Sequence, residues 1–310
     1  MIHFYQAFNL KILSENLILP ELYTLKNREK HDIIIRESKI NFENESNSNK
    51  YNTPFLNFLS DKLILKVNNI CTFSIEEGNS IIWEKHHERI QGDDIRTFLL
   101  GSALGALLIQ RGFMMFHGNA LEKNGKAVIC LGHSGAGKST IAYSLMQQGW
   151  SLISDDLVAV NDEGQILPGI PRIKLWKDAV LDFKLDIDTL KPVRNNLKKY
   201  VINGEKITSV TKKFPLNAFY LIQRNENLSS LPEIEPEIIK SEKISFWKLK
   251  NQLYRPRFVK GLGKEKELFS KLINLQKKVP VIRLPIVDGI TKMNDWLKKI
   301  DLSNPSSWIN

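Results

Sequence analysis

Phe116 to Val160 reads FHGNALEKNGKAVICLGHSGAGKSTIAYSLMQQGWSLISDDLVAV, and the fold turns on its middle. Gly132-His133-Ser134-Gly135-Ala136-Gly137-Lys138-Ser139 satisfies the phosphate-loop spacing GxxxxGK[ST]. Spacing alone is weak evidence, so the flanks decide. Before the loop, Ala127–Leu131 is an unbroken apolar run, the pattern of a parallel strand buried on both faces. After it, Ile141/Leu145 and Ala142/Met146 recur four apart, as on one face of a helix. Gly149 stands where a left-handed helix C-cap belongs. Strand, glycine loop, helix and glycine stop predict a phosphate-binding turn in an α/β domain.

The residue types fit that chemistry. Gly132, Gly135 and Gly137 allow backbone conformations closed to other residues, so that successive N–H groups converge on phosphate oxygens. His133, Ser134, Ala136 and Thr140 complete the cradle, and the helix beginning near Lys138 points its positive dipole end at the same place. Lys138 supplies an ammonium for the terminal phosphates, and the Ser139 hydroxyl is a ligand for Mg²⁺. ATP and Mg²⁺ are the expected cofactors, although such a loop does not read the base.

Two flanking features bear on the kind of phosphate-loop protein. Leu152–Val160 is an apolar strand interrupted by Asp155-Asp156. Carboxylates in a buried strand are costly unless a metal ion or a proton to be taken compensates them. Upstream, Phe116-His117-Gly118 lies just before the strand that feeds the loop. A histidine taken alone is more often structural than catalytic.

Together, His-Gly, the Gly-Lys-Ser loop and Asp-Asp resemble, in order and spacing, the catalytic domain of the HPr kinase/phosphorylase family. The resemblance implies an α/β fold with a P-loop, HPr-kinase-like catalytic domain and a PEP-carboxykinase-like core. It also implies an enzyme that moves phosphate from ATP, with Mg²⁺, to a serine hydroxyl. By position it implies Asp155 as general base with His117 beside it, Lys138 and the loop on the phosphates, and Asp156 with Ser139 on the metal side. Two departures matter. His133 replaces an acidic residue of that family, and Gly169-Ile170-Pro171-Arg172-Ile173-Lys174-Leu175-Trp176 stands where its Glu-Ile-Arg-Gly-Leu-Gly type signature would be. This segment looks like a related branch, the HPr-kinase-like enzymes that phosphorylate lasso-peptide precursors on a C-terminal serine. Phe4–Leu10, Tyr254–Val259 and Val279–Leu284 are similar to the same branch. The expected partner is thus a precursor peptide bearing a serine, with an HPr-type small protein as the alternative acceptor.

The rest of the chain sets bounds. With 310 residues it can bury a substantial core, as one large domain or two modest ones. Its 44 basic against 34 acidic residues, net +10, favour anionic partners, but no basic-aromatic module points to nucleic acid. Cys71 and Cys130 sit in apolar runs and read as reduced core residues. The N-terminus lacks a signal-peptide pattern, and the apolar run Phe98–Ile109, twelve residues, is too short to span a bilayer. A cytoplasmic protein away from membranes is expected.

Residues 1–92 are expected to form a β-rich module that frames the acceptor or mediates assembly, such as a homo-oligomer, and residues 93–310 the catalytic domain. In the module, Lys62–Val67, Ile70–Ile75 and Ser80–Glu84 predict a meander through Asn68-Asn69 and Glu77-Gly78-Asn79. Asn41–Thr53 reads as a polar loop, and His86-His87 as a solvated pair, because neighbours on a strand face opposite ways. Asp93–Gly112 has helical periodicity, with Gly101 and Gly105 allowing close backbone approach. Beyond the Asp pair, Lys191, Arg194, Lys198, Lys199, Lys206, Lys212 and Lys213 form a basic stretch, either a solvated face or a landing strip for phosphates or acceptor. Ala218–Ile222 predicts a strand; Lys264–Lys278 and the Met293–Ile300 stripe predict helices. Gly261-Leu262-Gly263-Lys264 reads as a turn, and Arg255 and Arg257 as paired-donor candidates for phosphate or carboxylate.

Two function classes stay open. A nucleotide-gated regulatory protein needs the loop and a metal ligand, whereas a kinase also needs a group to take the hydroxyl proton. His117 and the Asp pair favour the kinase.

Overall fold

The computed structural model describes residues 1–26, 30–40, 49–194, 197–203, 211–224, 235–286 and 289–308. Most of the expected polar loop, residues 41–48, and Lys206 of the basic stretch lie outside them. The chain divides into two compact units, Met1–Met115 with Tyr254–Lys271, and Phe116–Leu253 with Leu272–Asn310.

The first unit is built on an eight-stranded sheet. Its strands are β1 (Ile2–Ala7), β2 (Leu10–Glu15), β3 (Tyr23–Thr24), β4 (Ile33–Glu37), β5 (Leu56–Phe58), β6 (Lys62–Val67), β7 (Cys71–Glu76) and β8 (Ser80–Lys85). They lie in the order β3-β1-β2-β4-β8-β7-β6-β5. The meander read from the turn residues is present: β6, β7 and β8 are successive antiparallel neighbours, with Asn69, Glu77 and Gly78 at positive φ in the turns. The periodic run after residue 92 forms α1 (Gly92–Phe98) and α2 (Leu104–Gln110), joined by a π-helical turn at Leu99–Ala103. Buried Leu104, Leu107 and Leu108 belong to α2, which lies against β7 and β8. The Gln110 side chain ties the helix end to the sheet, accepting from Gly78 N and donating to the Asp61 and Ile75 carbonyls.

The division expected at residue 92 therefore falls inside a compact unit, because the apolar face of α2 has the β-sheet to cover. Gly101 does not serve close backbone approach either. Among the described residues, a Cβ there would meet only the Tyr254 hydroxyl, at 3.8 Å.

At the passage into the second unit runs β9 (Met114–Phe116). The second unit holds β10 (Gly118–Lys123), β11 (Lys126–Leu131), α3 (Lys138–Gln147), β12 (Ser151–Asp155), β13 (Val158–Val160), β14 (Gln165–Ile166) and β15 (Arg172–Trp176). There follow α4 (Lys177–Asp182), β16 (Lys191–Arg194), β17 (Leu197–Asn203), β18 (Phe214–Arg224), β19 (Glu237–Ile238) and α5 (Glu242–Lys250). The remaining elements are α6 (Pro256–Gly261) in the first unit, α7 (Glu265–Lys278), β20 (Val281–Ile286) and α8 (Ile290–Leu297).

Pairing runs β12-β10-β11-β18-β20-β19, with β11, β18 and β20 mutually parallel and the outer pairs antiparallel. β11 and the middle of β18 carry the unbroken apolar runs that a doubly covered parallel pair requires. Helix α3 lies against β10, β11 and β12, and α8 lies on α3. Val128, Cys130, Ile141, Leu145, Tyr220, Ile282, Trp296 and Leu297 share the resulting core. A separate three-stranded sheet, β15-β17-β16, stands next to α3 and α4. Both cysteines are buried and unbridged, as expected, and burial pushes each thiol up to about 12. Among the described residues no helix is long and apolar enough to cross a membrane.

Candidate functional site

The strand-loop-helix reading is realised in the second unit: β11 ends at Leu131 and α3 begins at Lys138. Gly137 is the residue before the helix, in the left-handed region at φ +90°, and Gly135 lies at φ +83°. Gly132 differs from expectation, because its φ is not positive. The site is crowded instead: a Cβ would come 3.2 Å from both the Ile222 carbonyl oxygen on β18 and the Ala136 side chain. Lys138 folds back over its own loop, donating from Nζ to the carbonyls of Gly132 (2.8 Å) and His133 (3.0 Å). Burial pulls the Lys138 ammonium below the usual lysine range, against the charges of Asp156 and Asp155.

The Asp pair closes β12. Asp155 is the last residue of the strand, and Asp156 turns the chain at φ +64°, after which β13 starts at Val158. The two carboxylates part company. Asp155 is 6% exposed and faces the sheet: its Oδ1 accepts from the Asn119 side-chain amide and from Asp156 N (2.9 Å), and its Oδ2 from Lys174 N (3.1 Å). Burial, then the neighbouring Asp156 charge, push its carboxyl up to about 7, against the pull of Lys174 and Lys199. Asp156 is raised by burial too, but the Lys174 ammonium paired with it and Lys199 outweigh that and hold it below the usual carboxylate range.

His117, one residue before β10, faces the same place. Its N donates to the Gln252 carbonyl (3.0 Å), and its ring Nδ1 lies 3.1 Å from the Asp156 carbonyl. Burial, then the Lys138 charge, lower its pKa, so the ring is held neutral. Gln252 also reaches the loop, with Oε1 accepting from Gly132 N at 3.1 Å.

A cavity of about 560 Å³ joins these parts. The loop and α3 contribute Ser134, Gly135, Gly137, Lys138, Ser139 and Thr140; His117 and Asp156 lie on its wall. The remaining wall comes from Trp176 and Lys199 of the small sheet, Asp178 and Asp182 of α4, Arg224 at the end of β18, and Ile286, Gly289, Ile290 and Met293. Trp176 is 54% exposed, with the Lys199 ammonium 5.5 Å from its ring centroid.

The structure thus brings His117, Lys138, Ser139, Thr140 and Asp156 to one cavity. Gly132, His133, Ala136 and Asp155 do not line it. Of the basic stretch, Lys199 reaches the cavity; Arg255 and Arg257 belong to the first unit, where the Arg255 guanidinium covers the rings of Tyr254 and Phe258. Among the described residues no cluster of three or more His, Cys, Asp or Glu could hold a metal by itself. The donor set nevertheless fits Mg²⁺, which takes one or two protein oxygens and completes its shell with phosphates and water.

Sequence reading gives no role to Asn119 or Gln252, and reaches Lys174 and Trp176 only through the 169–176 segment, read as shaping the acceptor site. Asn119 carried a signal, a polar residue amid Gly118, Ala120 and Leu121 on a strand. Gln252 carried none, because its partners are 120 and 135 positions away.

Comparison with known proteins agrees with this geometry over one segment. Residues 111–175 match the family described as HPr Serine kinase C-terminal domain. The chain is 38% identical over 53 residues to an HPr kinase/phosphorylase of Prosthecochloris aestuarii, covering 17% of this chain and 16% of that protein. It is 36% identical over 75 residues to one of Chlorobium phaeovibrioides, covering 24% and 21%. The matched part is therefore about a fifth or less of these relatives' length. A solved structure, the Hpr(Ser) kinase/phosphatase from Coxiella burnetii, aligns over 60% of this chain and 94% of its own at 13% identity and TM-score 0.28. Through residues 111–175, which hold the phosphate loop, His117 and the Asp pair, the chain is similar to the HPr kinase/phosphorylase family.

Proposed function

We propose that this protein is a kinase that transfers phosphate from ATP, with Mg²⁺, to a serine hydroxyl of a peptide. The observation that carries the reading is the single cavity shared by the loop, His117 and Asp156. ATP would supply the phosphoryl group, and Mg²⁺ the neutralisation of its charge. Lys138 leaves the loop carbonyls to bind phosphate oxygens, joined by the N–H groups at the start of α3. Ser139 would hold the metal, which takes its remaining ligands from phosphate and water.

The proton of the acceptor hydroxyl goes to Asp156. This revises the expectation for Asp155, whose carboxylate oxygens are occupied by three N–H donors and which does not line the cavity. A carboxylate held ionised by Lys174 is a weak base. Phosphoryl transfer asks little of it, because the hydroxyl proton leaves late in a loose transition state. Neutral His117 orients the turn through the Asp156 carbonyl.

The segment containing Trp176, which departs from the HPr-kinase pattern, forms part of the cavity wall. It favours a peptide acceptor of the lasso-precursor type, ending in serine, over a folded HPr-type protein. The relatives' names keep the HPr-type acceptor as the second reading. Intact-mass spectrometry after incubation with ATP, Mg²⁺ and a serine-terminated peptide tests the first. A gain of phosphate on that peptide and not on its alanine-terminated control is expected, with loss of the gain and retention of ATP binding in Asp156→Asn. Phosphate appearing only on an HPr-type protein would establish the second reading.

A further inference from the structure

We propose that Asn119 is a positioning residue for phosphoryl transfer, holding Asp155 so that the turn after β12 presents Asp156 and Lys174 to the site. The inference rests on the kinase reading above. Asn119 and Asp155 are cross-strand partners in the β10–β12 pairing, and both are buried. The Asn119 amide donates to Asp155 Oδ1, the same oxygen that accepts from Asp156 N, while Oδ2 accepts from Lys174 N. One carboxylate therefore fastens three separate stretches: β10, the positive-φ turn at Asp156 and the middle of β15. The side chains of Asp156 and Lys174 then pair with each other. Without the amide, Asp155 loses the only one of its three donors that comes from a side chain, and with it the direction in which Oδ1 points.

Packing does not account for the choice of residue. Asn119 is 1% exposed among buried Gly118, Ala120 and Leu121, and its Oδ1 is buried with no hydrogen-bond partner among the described residues. An apolar side chain would leave no orphaned oxygen. A strand that keeps a half-satisfied amide against a carboxylate departs from the ordinary core rule in the way functional sites do.

The test uses the full chain, labelled with ¹⁵N, with MgATP and a synthetic serine-terminated peptide. In Asn119→Ala the amide resonances of Asp156 and Lys174 should move in the ligand-free protein. The kcat for transfer should fall about tenfold or more, with KM for MgATP within about twofold of the parent. Asn119→Ser, which keeps an O–H donor, should recover part of both. Unmoved resonances, an unchanged kcat, or a loss confined to KM would overturn the proposal. Should Asn119→Ala fail to fold, Asn119→Ser decides by the same measurements. If the parent transfers no phosphate to the peptide, the kinase reading on that acceptor fails separately. The ligand-free resonances then decide the positioning role: moved sustains it and unmoved ends it.

Discussion

At the scale of single residues, the site depends on charges held in a partly buried place. Lys138 is the clearest case. Its ammonium is spent on two loop carbonyls, so binding phosphate exchanges those neutral partners for an anion. Charge-assisted hydrogen bonds contribute roughly 1.5–3 kcal/mol each, so Lys138→Ala should weaken ATP binding at least about tenfold. Isothermal titration calorimetry checks this, and unchanged affinity would remove Lys138 from the phosphate site. His117 makes a pH prediction. Burial and Lys138 lower its pKa in the folded state, so the fold binds its proton less readily than the unfolded chain does. The stability this contributes is present above the ordinary histidine value and is lost as pH falls through the lowered one. Between about pH 7.5 and 5.5 the parent should therefore lose more thermal stability than His117→Gln, a difference that melting curves at both pH values resolve.

At the scale of elements, β10 and β11 approach so closely at Gly118 that this position has no room for a larger residue. Gly118 pairs with Leu131, and a Cβ on it would lie 2.4 Å from the Cys130 carbonyl oxygen and 2.8 Å from the Leu131 side chain. The first obstacle is backbone, which cannot swing away as a side chain does. Gly118→Ala should cost at least about 2 kcal/mol and lower the melting temperature by about 5–10 °C. A melt unchanged within about 1 °C would mean that the two strands separate freely. This glycine stands between His117 and Asn119, so its strain would be passed to both site residues. The left-handed Gly137 does a different job. It lets the loop turn directly into α3, and its neighbour Ile286 would lie 3.0 Å from any added Cβ.

At the scale of the whole molecule, the second unit is completed by the end of the chain. Met293, Trp296, Leu297 and Leu302 are all buried in the core that contains α3 and β11, and the Tyr220 hydroxyl donates to the Leu302 carbonyl at 2.7 Å. Burying four such side chains contributes about 6–12 kcal/mol gross, comparable with the whole stability of a domain. A chain ending after Ile286 should therefore lose the cooperative unfolding of the second unit. Differential scanning calorimetry would show one transition fewer or none, and an intact transition would mean that α8 is an accessory.

The features legible along the chain are local. The apolar run of β11, the four-residue spacing on α3 and the glycines at 135, 137 and 149 are short-range facts, because backbone dihedrals and strand or helix periodicity are settled within a few residues. The meander β6-β7-β8 was legible for the same reason. Tertiary structure alone decided which aspartate faces the cavity. Asp155 and Asp156 look alike along the chain, and the difference arises from Asn119 and Lys174, which arrive from other strands. It also decided that Gly132 is crowded by β18 while its own dihedral is ordinary, and that Lys199 and Trp176 meet at register partners. Long-range pairing places those groups, and a burial pattern read along one strand carries no record of which strand comes to lie beside it.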